Sequence, residues 1–174
     1  MRFLAAIGAL AIVIGIGAAA FFFGGYYNVA GTAADLAPVT WALTRVRVAS
    51  INRHANDSPP ASFGDAAMVQ AGAKAYAAFG CATCHGAPGV MWLKLSEGMH
   101  PYPPDLKKVA ADLSPAQLFW IVKNGINMTG MPSFAEAGAT DNEIWSIAAF
   151  VKKLPSVSDA DYKSWTAGVE PKQH

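Results

Sequence analysis

The chain opens with an unbroken apolar run. From Phe3 to Phe23 (FLAAIGALAIVIGIGAAAFFF) no charged or polar side chain appears. A helix of that length measures about 31 Å, against roughly 30 Å for the hydrocarbon core of a bilayer. Phe21, Phe22, Phe23, Tyr26 and Tyr27 then gather aromatic rings where such a helix leaves the lipid. The pattern predicts a transmembrane anchor over residues 1–27. A cleaved signal peptide is the competing reading, with VAGTAAD as the place for a cut, but its apolar stretch is normally only about 7–15 residues. Ala11, Gly15 and Ala19 fall on one face, a spacing that lets another membrane helix approach, although such helices are rich in small residues in any case.

Beyond the anchor the pattern changes twice. Residues 39–55 (VTWALTRVRVASINRHA), after Pro38, read as a short basic amphipathic helix: Val39, Leu43 and Val46 share a face, and Arg45, Arg47, Arg53 and His54 supply charge. Such a helix suits a membrane surface, a partner subunit or a solvated spacer, and the sequence does not choose among them. His54 reads as a surface residue. The prolines of NDSPPASFG mark a linker, so residues 28–64 form a juxtamembrane helix and linker, and the globular domain is expected from Asp65.

Within 65–155 the punctuation is helical. Asp65 starts a helix to about Phe79 that puts Gly72 and Tyr76 on one face. Ser114-Pro115-Ala116-Gln117 has capping-box spacing with proline at the first helical position, and Asn124-Gly125 closes the helix it opens. Thr140-Asp141-Asn142-Glu143 repeats the box and starts a helix with the stripe Ile144, Ile147, Ala148, Val151 and Leu154. Lys152 and Lys153 lie at its negative end and Pro155 stops it. No period-two alternation appears. The prediction is an all-α domain with long Gly/Pro-rich loops, followed by a polar tail over 156–174. A core this thin calls for an additional element to hold it together.

Composition narrows the function. The chain is 53% apolar and 14% charged with a formal net charge of +1, and without a basic cluster nucleic acid is not an expected partner. The two cysteines, Cys81 and Cys84, lie in GCATCHG, so a disulfide framework is ruled out and all thiol chemistry is confined to one stretch. Structural zinc wants four ligands in two pairs, and no second pair exists. A thioredoxin-type motif wants a strand before the cysteines, and the preceding segment reads as helix. A covalently attached haem fits every feature: two thiols add across its vinyl groups, and the adjacent His85 reaches the iron.

The sixth iron position calls for a soft ligand. Met131, framed by Gly130 and Pro132 in a tight loop, is the leading candidate; Met128, Met99, His100 and an open site are the alternatives, and Met91 lies too near the attachment loop. Phe119, Trp120, Ile121 and Phe134 are placed either to line a haem pocket or to pack an ordinary core.

The order helix, CATCHG, loop, helix, TGMP, helix resembles a class I c-type cytochrome with one haem, over residues 65–155. Gly72 and Tyr76 resemble that family's first helix, and IWSIAAFVKKLP resembles its last, which crosses the first at the glycine. YPPDL is similar to the family's proline loop, which implies that the Pro104 carbonyl accepts the proton of the ligand histidine's other nitrogen. The front end is similar to membrane-anchored bacterial forms. The resemblance implies haem c held by Cys81, Cys84 and His85, with His85 and Met131 on the iron. It further implies a carrier of single electrons rather than an enzyme, facing the periplasm from the inner membrane. Its expected partners are redox proteins such as a dehydrogenase, a quinol-oxidising complex or a terminal oxidase, with no small-molecule substrate. A haem-bearing subunit fixed in one dehydrogenase or oxidase, and a ligand-binding haem sensor, are the rival readings.

Overall fold

Every regular element in the computed structural model is helical, and the structure describes residues 1–172. The chain forms two units, Met1–Asp35 and a larger one beginning at Leu36. In the first, α1 (Arg2–Phe23) is long and apolar enough to cross a membrane, and none of its residues is buried. The rings of Phe21, Phe22 and Tyr27 pack together at its end.

The second unit contains α2 (Ala37–His54), α3 (Ala66–Ala78), α4 (Cys81–His85), α5 (Leu106–Val109), α6 (Pro115–Asn124), α7 (Asp141–Lys153) and α8 (Asp159–Trp165). Short 3₁₀ turns lie at Lys94–Gly98 and Leu154–Ser156. Among the described residues the only sheet-like pairing is one isolated bridge, Ala87 with Val90.

Helices α3 and α7 cross at Gly72. A Cβ on Gly72 would lie 1.9 Å from the Ser146 carbonyl oxygen, so only a glycine allows the backbones to approach this closely. Both expected capping boxes form. Ser114 and Gln117 open α6, and Thr140 and Glu143 open α7, each satisfying two otherwise orphaned backbone amides. The predicted stripe of α7 is buried throughout, and Phe119 of α6 stacks on Trp145 at 4.1 Å between ring centres. Lys152 lies in the last turn of α7, as expected, and also reaches beyond it. Its ammonium donates to the carbonyls of Ala110 and Leu113, both at 2.9 Å, and so ties the chain after α5 to α7.

Three segments differ from the sequence expectation. Helix α2 takes Pro38 into its first turn, where a proline's missing amide costs nothing, and spans Ala37–His54 rather than 39–55. It also docks on the domain. Ile51 is buried, Gln117 donates from Nε2 to Asn52 Oδ1 at 2.7 Å, and the His54 ring stacks on Trp120 at 6.0 Å. The stretch expected to be a free linker is pinned at its far end by Phe63, which packs edge-on against Trp145. The compact unit begins at Leu36, and the helix expected from Asp65 starts within it at Ala66. The contact rests on one buried aliphatic residue and two polar or aromatic pairs, which leave no periodic stripe to read.

The third difference is at the C-terminus. The segment expected as a polar tail carries α8, whose Tyr162 is buried and stacked on Phe150. Lys172 sits 2.6 Å from a Glu143 carboxylate oxygen and over the Phe79 ring. Tyr162 and Trp165, three residues apart on α8, both pack on the core, a pair too short to read as a stripe in so polar a stretch. Gln173 and His174 lie outside the described residues.

Candidate haem site

The site is built from the chain reversal after α3. Gly80, at φ 70°, turns the backbone into α4, one helical turn that carries Cys81, Cys84 and His85. Both thiols are free, Cys81 buried and Cys84 half-buried. From α3, the Tyr76 hydroxyl donates to the Gly86 carbonyl at 2.7 Å and clamps the turn that ends the motif. Next the loop folds back, and the Leu93 amide donates to the Thr83 carbonyl at 2.9 Å.

His85 Nδ1 lies 2.9 Å from the Pro104 carbonyl oxygen. A carbonyl can only accept, so Nδ1 carries the proton and the lone pair resides on Nε2. Burial disfavours the imidazolium and holds His85 below the usual histidine value, while the bond to Pro104 acts in the opposite sense. The cleft beside it is lined by Cys84, Trp92, Ser96, Tyr102, Pro103 and Pro104.

The methionines separate by position. Met91 and Met128 point outward, 76% and 75% exposed. Met131 is half-buried and packed against the hydrophobic core. Its loop is held from both sides. The Met131 amide donates to the Thr129 hydroxyl at 3.1 Å, that hydroxyl donates to the Ile126 carbonyl, and the Ile126 amide returns to the Met131 carbonyl. Gly125, at φ 67°, lies so close to Pro132 and the Met131 carbonyl that a Cβ would clash at 2.5–2.7 Å. Thr129 was not singled out from the sequence, although a threonine two residues before a framed methionine is a readable cue. Met99 was set among the alternatives and is brought to this loop, its sulfur 2.8 Å from where a Cβ on Gly130 would sit.

Of the aromatic residues offered for a pocket, Phe119 and Phe134 belong to the core, and Trp120 lies against His54 of α2.

The donor set fits haem c. Two free thiols sit on one helical turn, and a histidine with a defined free nitrogen adjoins them. Trp92 and Tyr102, which line the cleft beside His85, are exposed apolar surface for the group to cover. Zinc does not fit: among the described residues no group of three or more His, Cys, Asp or Glu side chains converges.

Residues 67–151 match the family model described as cytochrome c oxidase, cbb3-type, subunit III. No curated protein and no solved structure matches the chain. Residues 67–151, which carry the CATCH turn, are therefore a class I c-type cytochrome domain, with Cys81, Cys84 and His85 fitting covalent haem c. Its chemistry is haem-based electron transfer.

Proposed function

We propose that the protein is a membrane-anchored electron carrier whose single haem iron is held by His85 and Met131. In this reading the domain faces the periplasm and passes one electron at a time between larger redox complexes. The observation that carries the reading is the Nδ1 contact of His85 with Pro104, which fixes the tautomer and leaves Nε2 as the donor. When bound, haem c supplies a one-electron iron couple. The chain does the rest. The Cys81 and Cys84 thiols fix the group, Pro104 orients and enriches the imidazole, and the Thr129 bridge sets the position of Met131. His85 and Met131 would both hold the iron, so no substrate would need to reach the metal, and a thioether would favour the reduced state. The α1 helix serves as the anchor in this account.

Attachment to a terminal oxidase as a resident subunit is the second reading, and the description of the matching family favours it. The charge distribution is consistent with either. Between Asp65 and Leu154 acidic and basic side chains are equal in number, so long-range steering is weak and confinement by the membrane has to supply the encounter.

Carbon monoxide tests the ligation. The reduced protein should keep its spectrum under the gas. A shifted Soret band would mean an open or labile sixth position and would favour a ligand-binding sensor. Purification in mild detergent separates carrier from subunit by the absence or presence of stoichiometric companions.

A further inference from the structure

Helix α2 is covered at one end and bare at the other. Its last turn is held to α6 by Ile51, the Asn52–Gln117 bond and the His54–Trp120 stack. Toward its start, Ala37, Thr40, Trp41, Thr44, Arg45 and Val48 form a shallow open concavity. Trp41, Arg45 and Val48 follow each other at helical spacing along it, with Trp41 65% exposed.

Two further facts say what covers this row. From Leu36 to Asn56 the chain contains no acidic residue, whereas Arg45, Arg47 and Arg53 are all cationic. Residues 24–36, which reach at most about 45 Å when extended, are all that separate α1 from α2. If α1 spans the bilayer, as proposed above, that length keeps α2 within reach of the headgroups.

We infer that the Trp41–Arg45–Val48 row of α2 is a contact with anionic phospholipid. An indole prefers the headgroup level, where its ring is in apolar surroundings and its N–H stays wet. A guanidinium pairs with phosphate through a bidentate fork, and a cationic segment without acids is attracted to an anionic leaflet. Because the far end of α2 is fixed to α6, seating this row sets the orientation of the haem domain on the membrane. In this account the mobile joint is 24–36, not 56–64.

The test uses the full-length holoprotein in nanodiscs of bromine-labelled phosphatidylglycerol or phosphatidylcholine. Bromine quenches nearby indoles, and subtracting the emission of Trp41→Phe isolates Trp41. In anionic discs that component should fall at least twofold relative to unlabelled lipid. Phosphatidylcholine, or the double variant Arg45→Glu/Arg47→Glu in either lipid, should show less than half that quenching. An unchanged Soret spectrum establishes that the variants are folded. Co-elution with the discs but no quenching of Trp41 overturns the inference alone and leaves the row to a protein partner. Failure to co-elute overturns the anchor reading, and this inference with it.

Discussion

His85 and Pro104 are 19 residues apart in the chain, yet the imidazole Nδ1 and the proline carbonyl oxygen meet at 2.9 Å. The pair joins the attachment helix to the far end of the loop that follows it. Two adjacent prolines, Pro103 and Pro104, restrict the backbone that presents the carbonyl.

Loosening that backbone should weaken the bond without removing it. In Pro103→Gly/Pro104→Gly the unfolded chain gains freedom and the stability loss should be about 1–2 kcal/mol by denaturant titration. The His85 Nδ1 proton of the reduced protein should also exchange faster with solvent by NMR. Unchanged exchange would mean that the carbonyl is held by something other than the prolines.

The crossing of α3 and α7 leaves no room at Gly72, where the obstruction is backbone rather than a flexible side-chain end. Gly72→Ala should therefore cost roughly 3 kcal/mol, at the upper end of overpacking effects. A loss below about 1 kcal/mol would show that the two helices separate easily.

Glu143 provides a pH-dependent contribution. The Lys172 ammonium, then the Thr140 amide, hold its carboxyl below the ordinary carboxylate value. A carboxyl depressed in the folded state contributes stability above its unfolded value, and the contribution disappears as pH falls through the folded value. The window lies at and below about pH 4.5, the ordinary value. Glu143 is half-buried at the surface and its partner Lys172 is exposed, so screening keeps the effect to about 0.5 kcal/mol. The stability gap between the wild type and Glu143→Gln should be that size at pH 7 and should close by pH 3. A gap independent of pH would trace to the cap geometry rather than to charge.

Local rules made much of this fold readable. Capping boxes place α6 and α7 because Ser114 and Thr140 offer the same hydroxyl-to-amide bond whatever surrounds them. Gly72 and Pro104 were legible through the family resemblance, and the structure gives each a specific contact. The remainder depends on tertiary meetings that no local pattern encodes. The Asn52–Gln117 bond spans 65 residues, and Lys152 caps carbonyls about 40 residues away. Met99 reaches Gly130 only because the loop between His85 and Pro104 folds across. Tyr162 and Trp165 are two aromatics in a polar stretch, too short a pair to read as a stripe, and Tyr162 is buried against Phe150.

Ligation by Met131 is the central claim, and the absorption spectrum of the oxidised protein tests it most directly. Met131 is half-buried on a bridged loop, whereas Met128, three residues earlier, is exposed at φ 59°. Replacing Met131 with leucine keeps the volume and removes the sulfur. The account predicts that Met131→Leu retains covalent haem through Cys81 and Cys84, loses the sulfur-to-iron charge-transfer band and shows a lowered reduction potential, while Met128→Leu keeps both. Survival of the band in Met131→Leu, or its loss in Met128→Leu, would contradict it.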